Sequence, residues 1–180
     1  MKTFVALLRG INVGGRNMLP MSELSEILHD LGCRDVKTYI QSGNAVFRCD
    51  KASGRIAADI AAAIGKRRGF EPHVLVLDKS RFADAIKLNP FGPQAPDAKA
   101  LHLGFLDAVP ATPDLKGLEA LKASTEQFSL VGQVFYLLAP EGVGRSKLAA
   151  RSEKLLGCPM TDRNWKTVTT LMSMLEALPE

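Results

Sequence analysis

Runs of apolar and polar residues along this 180-residue chain predict the same order of strands and helices twice. In the first half, the apolar run TFVALLR predicts a strand that is buried on both faces. Apolar positions at helical spacing predict helices over residues 20–31 and 53–67. Between them, VKTYIQSGNAVFRC predicts a hairpin that turns at Ser42, Gly43 and Asn44. The strand HVLVLD and the short helix KSRFADAIKL complete this half.

The second half repeats this order after a segment rich in proline. NPFGPQAPDAKA holds three prolines and one glycine, which indicates a linker over residues 89–100. Beyond it, ALHLGFLD and CPMTD predict strands, and QFSLVGQVFYLL predicts a hairpin that turns at Gly132. Helices are predicted over residues 114–123, 145–156 and 164–177. We therefore expect an α+β protein formed by tandem duplication of two ferredoxin-like βαββαβ subdomains, residues 1–88 and 101–180, each followed by a helix.

Composition narrows the class of protein only a little. A hydrophobic content of 46% and a charged content of 23% are typical of a globular protein, and a net charge of +4 permits an anionic partner without requiring one. Cys33, Cys49 and Cys158 lack metal or redox spacing, so we expect free thiols, no metal site and no cofactor. No apolar stretch approaches the ~20 residues that cross a membrane, and the opening run is too short for a secretory signal. We expect a cytoplasmic protein that does not bind membranes.

The connection LLRGINVGGRNMLP is longer than the fold requires. In the first half, the predicted strand begins at Thr3 and the predicted helix at Met21, 18 residues later. In the second half, the corresponding strand and helix begin at Leu101 and Asp114, only 13 residues apart. Glycines let the backbone approach a ligand closely, and arginines suit phosphate or carboxylate groups. Asparagines offer both donors and acceptors. The standard phosphate motifs GxxxxGK[ST] and GxGxxG are absent. The alternative is a tight loop whose polar side chains satisfy its own backbone.

Three other polar stretches join this loop as candidates for a binding site. Ferredoxin-like topology places QSGN beside the opening loop, and it places the helix starts GRSKL and TDRNW together at one end of the second half. Exposed N–H groups at helix starts favour anions, although Ser146, and Asp162 or Asn164, could also be plain N-caps with the arginines pointing to solvent. We expect Trp165 to be buried and to anchor the last helix, and we expect Arg163 and Asn164 to face the polar site. The predicted ligand-binding residues are Arg9, Gly10, Asn12, Gly14, Gly15, Arg16, Asn17, Gln41, Ser42, Asn44, Ser146, Lys147, Arg163 and Asn164.

Five motifs in order give the chain a recognisable pattern: LLRGINVGGRN, YIQSGNAVF, NPF, GRSKL and T-x-RNW-x-TV. Together they resemble the family called domain of unknown function 1697, over nearly the whole chain. The resemblance implies two ferredoxin-like subdomains in a bacterial cytosolic protein, and it implies no established activity, substrate or cofactor. The chain departs from the family pattern at Arg16, where lysine is also common, and at Thr170, where a lysine often precedes the leucine. The second departure weakens any role for a cation at that position.

Three functions fit these residues. The leading hypothesis is the binding of an anionic ligand, a phosphorylated small molecule or nucleic acid, at a composite polar site where the halves meet. An enzyme acting on a phosphorylated substrate is the second. The sequence shows no nucleophile motif and no paired carboxylates that would support this second hypothesis. The three histidines are predicted to lie on the surface or to be hydrogen-bonded in the core: His29, His73 and His102. The third is a structural or interaction module, which would expose a large apolar patch. The sequence indicates neither catalytic residues nor an oligomeric state.

Overall fold

The computed structural model describes residues 1–92 and 98–179. These residues form an α+β protein with two four-stranded antiparallel sheets and six α-helices. They divide into two compact units, Met1–Asp84 with the segment from Thr170 onwards, and Ala85–Thr169. The predicted subdomain limits stay a prediction, and residues 93–97 of the predicted linker lie outside the described residues.

The end of the chain groups with the first unit, whereas the subdomain limits predicted from sequence place it in the second half. A hydrogen bond accompanies this grouping, since Arg48 Nη1 donates to the carbonyl oxygen of Pro179 at 3.1 Å. The pattern of apolar residues along the chain does not predict this hydrogen bond, because its two partners are 131 positions apart.

The first unit is built on one sheet whose strand order is β2-β3-β1-β4. Its elements are β1 (Lys2–Arg9), α1 (Met21–Asp30), β2 (Arg34–Tyr39), β3 (Asn44–Cys49), α2 (Ser53–Arg68) and β4 (His73–Asp78), followed by α3 (Lys79–Lys87), whose residues from Ala85 onwards group with the second unit. Alternate residues of β1, including Phe4 and Leu8, form the core with buried residues of α1 and α2 such as Leu24 and Ile60. The residues between them on β1 are buried as well, as the continuous apolar run predicts.

The second unit has a sheet of order β6-β7-β5-β8. Its elements are β5 (Leu101–Leu106), α4 (Leu115–Leu121), β6 (Gln127–Val131), β7 (Val134–Leu138), a 3-10 turn (Val143–Arg145), α5 (Lys147–Leu156) and β8 (Met160–Asn164). Helix α6 (Trp165–Glu176) begins in this unit, and its residues from Thr170 onwards group with the first unit. Phe135 and Leu137 of β7 pack against Leu118 of α4 and Leu148 of α5, and this cluster is the core of the unit.

Several element boundaries differ from the sequence prediction by one or two residues, and two of these differences fall in candidate motifs. Helix α5 begins at Lys147 rather than at residue 145, because the Oγ of Ser146 accepts the Ala149 N–H at 2.9 Å and caps the helix there. Strand β8 continues through Asn164, whose Oδ1 accepts the Thr167 N–H at 2.9 Å and so starts α6 from the last residue of the strand. Across the described residues, no helix combines the length and apolar character needed to cross a membrane.

Candidate functional site

The opening loop lies beside the hairpin turn between β2 and β3. Strand β1 runs antiparallel to β3, and so does β2, so β1 and β2 end at the same edge of the sheet. Two hydrogen bonds join the segments that follow: Asn12 Nδ2 donates to the carbonyl oxygen of Gln41 at 2.8 Å, and the Leu8 N–H donates to that of Gly43 at 2.8 Å. The structure therefore brings the candidate residues of the first half together.

The asparagine side chains of the opening loop bind the loop itself. Asn12 Nδ2 also donates to the Leu19 carbonyl oxygen at 2.9 Å, and its Oδ1 accepts the Leu19 N–H at 2.8 Å. Asn17 Nδ2 donates to the carbonyl oxygen of Gly10 at 2.9 Å. Both asparagines have left-handed backbones, with φ of 53° and 51°. These contacts fit the alternative interpretation of the loop, in which its amide side chains satisfy its own backbone.

The hairpin turn packs directly on strand β1. Gly43 has φ of 81°, and a Cβ atom there would lie 2.7 Å from the Cβ of Leu8, so no side chain fits at this position. Asn44 is fully buried, and its Nδ2 donates to the Tyr39 carbonyl oxygen at 3.1 Å and to the Oγ of Ser42 at 2.9 Å. The amide of Asn44 thus holds the turn in shape.

The surface of the loop and turn is cationic and apolar. Arg9 and Arg16 are exposed. Val13, Met18 and Ile40 are 67%, 55% and 50% exposed. Sequence reasoning missed these apolar side chains because it assigns such residues to the core, and the available signal was that Val13 and Met18 lie in the predicted loop, outside the periodic runs. The other candidates of this region are also exposed: Gly10, Gly14, Gly15, Gln41 and Ser42.

The GRSKL motif of the second unit lines a cavity of about 390 Å³, which we call the first cavity. Arg145, Ser146 and Lys147 form one side of it, at the start of α5. The first N–H groups of an α-helix have no partner within the helix and carry a partial positive charge. Two cationic side chains and a helix start therefore surround one space.

Two carboxylates face the same cavity. Glu126 is 6% exposed, and its Oε2 accepts the Ala123 N–H at 2.9 Å. Glu141 accepts the Thr125 hydroxyl at 3.1 Å. The formal charges of the lining side chains cancel, so the helix start supplies the remaining positive field. The first cavity can thus donate hydrogen bonds to an anionic group and accept them from hydroxyl groups of the same ligand.

A second cavity of about 290 Å³ shares Ser146 with the first. Its walls are mainly apolar and include Phe135, Leu137 and Met160, and the carboxylate of Asp162 is its one charged side chain among the described residues. Asp162 and Met160 stand on the same face of β8, because side chains two positions apart in a strand point the same way.

A histidine holds Asp162 in place. His102 Nδ1 lies 2.7 Å from Asp162 Oδ2, and His102 Nε2 lies 3.1 Å from the Lys99 carbonyl oxygen. A carboxylate and a carbonyl oxygen only accept hydrogen bonds, so both ring nitrogens donate when both contacts are made, and the ring is then an imidazolium. Burial lowers the pKa of His102, but the hydrogen bond and charge of Asp162, with the Lys99 carbonyl, outweigh it and raise the pKa above 6.5.

This histidine makes the stability of the fold depend on pH. The stabilisation from His102 is present in full below the ordinary histidine pKa of about 6.5, and it is lost as pH rises through the higher pKa of the folded state. We expect the difference in unfolding free energy between the wild type and His102→Gln to be largest near pH 6 and to shrink as pH rises. Urea denaturation across a pH series measures this difference. His29→Gln, on an exposed face of α1, is the control, and parallel pH profiles for wild type and His102→Gln would contradict the prediction.

Arg163 does not reach the two cavities. It follows Asp162 on β8 and pairs across the sheet with Leu103, so it lies on the opposite face from Asp162. Its Nη1 donates to the Asp162 carbonyl oxygen at 2.7 Å. Burial lowers the pKa of Arg163 to about 10, although the negative charge of Asp162 acts in the opposite direction and raises it. The guanidinium therefore remains a cation at neutral pH. Sequence reasoning placed Arg163 at a helix start because it ended the strand two residues too early.

The cysteines are all buried free thiols. Burial raises the pKa of Cys33 to about 12, with a further contribution from its hydrogen bond with Cys49. Within residues 1–92 and 98–179, no group of three or more histidine, cysteine, aspartate or glutamate side chains could hold a metal ion.

Two antiparallel sheets, each with its own helices, and two adjoining cavities in the second unit make this a two-unit α+β protein. The family described as "Protein of unknown function (DUF1697)" matches residues 1–136, and the chain belongs to that family. The GRSKL and TDRNW motifs follow the matched range. No curated protein matches the chain.

A solved structure of a conserved bacterial protein from Streptococcus pneumoniae shares the fold. It has a TM-score of 0.73 and 24% sequence identity, and the alignment covers 97% of this chain and 98% of that chain. At this identity the likeness concerns the fold alone.

Proposed function

We propose that this protein binds a small phosphorylated molecule in the first cavity. The observation that carries the proposal is the placement of Arg145, Lys147 and the start of α5 around one space of about 390 Å³. Helix starts and arginine or lysine side chains are the groups that bind phosphate in proteins. Ser146 caps the helix and lines the cavity, which fixes the geometry of the donors around it.

The carboxylates in the cavity favour a small molecule over a nucleic acid. A nucleic acid carries one negative charge per nucleotide and is bound by an excess of cations. Here Glu126 and Glu141 balance the two cations, so a polyanion would meet repulsion next to its contacts. A sugar phosphate instead brings one anionic group for the cations and several hydroxyl donors for the carboxylates.

The composite version of the hypothesis, with ligand contacts from the opening loop, remains a proposal. The groups of that loop that we propose as ligand contacts are the side chains of Arg9 and Arg16 and the exposed backbone. Asn12 and Asn17 are left out because their amides form hydrogen bonds within the loop.

We also propose that the chain arose by tandem duplication of a ferredoxin-like unit, with subdomains 1–88 and 101–180. Two observations support it: the two halves have the same order of strands and helices, and the sheet orders β2-β3-β1-β4 and β6-β7-β5-β8 correspond strand by strand.

Isothermal titration with ribose 5-phosphate and inorganic phosphate tests the binding proposal. We expect binding by the wild type, and a loss of affinity of about tenfold or more in Lys147→Gln and in Arg145→Gln, because each removes a charge-assisted hydrogen bond. Lys154→Gln is the matched control, since Lys154 is an exposed lysine in the last turn of the same helix.

Two results would overturn the binding proposal. One is the absence of any binding by the wild type. The other is an affinity that Lys147→Gln and Arg145→Gln leave unchanged. Binding of a short oligonucleotide without binding of ribose 5-phosphate would replace the small molecule with a nucleic acid.

A further inference from the structure

We infer that the ligand is a nucleoside monophosphate whose base lies in the second cavity. This inference rests on the proposed function, and it assigns a role to a space that phosphate binding leaves unused. Three features carry it: the lining residue Ser146 that the two cavities share, the apolar walls of the second cavity, and the single carboxylate within those walls.

The two cavities have neighbouring walls. Ser146 lines both of them, and each is lined by residues of the 3-10 turn Val143–Arg145. Arg145 lines the first cavity, whereas Val143 and Gly144 line the second. A molecule whose phosphate binds at Arg145 and Lys147 therefore has an apolar space directly beside it.

The lining of the second cavity selects among the groups that such a ligand could carry. A sugar phosphate alone would leave the apolar walls at Phe135, Leu137 and Met160 uncovered. An alkyl chain would cover them, but it would displace water from the half-exposed carboxylate of Asp162 without offering a hydrogen-bond donor in exchange, which is costly. A nucleobase meets both requirements, because it has an apolar face for the walls and N–H groups on its edge for the carboxylate.

The carboxylate of Asp162 predicts which base binds best. His102 Nδ1 lies 2.7 Å from one of its oxygens, Oδ2, so Oδ1 remains to accept hydrogen bonds from a base. Guanine presents two neighbouring donors, its ring N1–H and its amino group, and a carboxylate can accept from both. Uracil presents one N–H between two carbonyl oxygens, which repel a carboxylate. Guanosine monophosphate is therefore the preferred ligand, and uridine monophosphate is the weakest of the four common nucleotides.

Isothermal titration of the full chain with ribose 5-phosphate, guanosine monophosphate and uridine monophosphate tests the inference. The wild type binds guanosine monophosphate about tenfold or more tighter than ribose 5-phosphate, and tighter than uridine monophosphate. Ala150→Leu fills the second cavity from an exposed position of α5, and it removes the advantage of the nucleotide while leaving ribose 5-phosphate binding unchanged. Asp162→Asn removes the preference for guanine. Ala150→Ser is the matched control, and thermal denaturation checks that each variant folds.

The outcomes separate this inference from the proposed function. Equal affinities for ribose 5-phosphate and guanosine monophosphate, both lost in Lys147→Gln, would overturn the inference and leave the proposed function standing. Tighter nucleotide binding that survives both Ala150→Leu and Asp162→Asn would place the base elsewhere and overturn the inference. Tighter binding of hexyl phosphate than of guanosine monophosphate would assign the second cavity to an alkyl group instead. An absence of binding by all of these probes would overturn both proposals.

Discussion

Replacing Asn12 with alanine lowers the free energy of unfolding by about 3 kcal/mol, because one side chain holds the opening loop. Its amide donates to the carbonyl oxygens of Leu19 and Gln41 and accepts the N–H of Leu19, at 2.8 to 2.9 Å. Alanine removes all three hydrogen bonds, and it also tolerates the left-handed backbone at φ 53° less well than asparagine does. Urea denaturation monitored by circular dichroism measures the loss.

Asn17→Ala is the matched control for this prediction. Asn17 has nearly the same backbone angle, φ 51°, but its side chain makes one hydrogen bond in the loop, to Gly10. We therefore expect a loss for Asn17→Ala of about half that of Asn12→Ala. Equal losses for the two variants would show that the backbone angle, rather than the hydrogen bonds of Asn12, sets the stability of the loop.

The largest loss of stability is expected for Trp165→Ala, at about 3–5 kcal/mol. Trp165 is the first residue of α6 and is 6% exposed, and Val168 and Leu171 on the same stripe are fully buried. Truncation to alanine removes a large buried surface and leaves a cavity behind. Because Trp165 is the chain's one tryptophan, circular dichroism rather than fluorescence measures the denaturation of both proteins.

Two further variants decide how the loss at Trp165 is interpreted. Trp165→Phe retains an aromatic ring and should cost clearly less than alanine does. Glu176→Ala, at the exposed end of the same helix, should change the free energy of unfolding by less than about 0.5 kcal/mol. A denaturation midpoint for Trp165→Ala that matches the wild type would contradict its role as the anchor of α6.

The pattern of apolar residues predicts the elements of this fold well. Strand β4 coincides with the predicted HVLVLD, and helix α2 extends one residue beyond the predicted 53–67. Both are governed by local periodicity, which the sequence displays directly. The sequence prediction ends β8 too early because the residues TDRN are polar. A polar segment before an apolar helix is typical of a helix start, and the sequence alone does not show which strand pairs with it. Pairing with β5, which reaches Asn164, extends the strand.

The candidate sites were less predictable because they depend on contacts between distant positions. Asn12 and Gln41 are 29 positions apart, and the sequence does not show that the amide of Asn12 points inward to the backbone of the turn. His102 and Asp162 are 60 positions apart, so no local pattern links this histidine to a polar motif. In contrast, Ser146 was recognised as an N-cap candidate, because capping is a property of neighbouring residues.

The close approach of the hairpin turn to strand β1 also constrains how this protein can evolve. At Gly43 a Cβ atom would lie 2.7 Å from the Cβ of Leu8 and 2.8 Å from the Cδ1 of Ile11. A side chain at position 43 therefore needs compensating changes at positions 8 and 11, and each of those changes made first would open a gap in a buried core. Positions 8, 11 and 43 are thus expected to show epistasis, and single substitutions offer no neutral path between one set of residues and another.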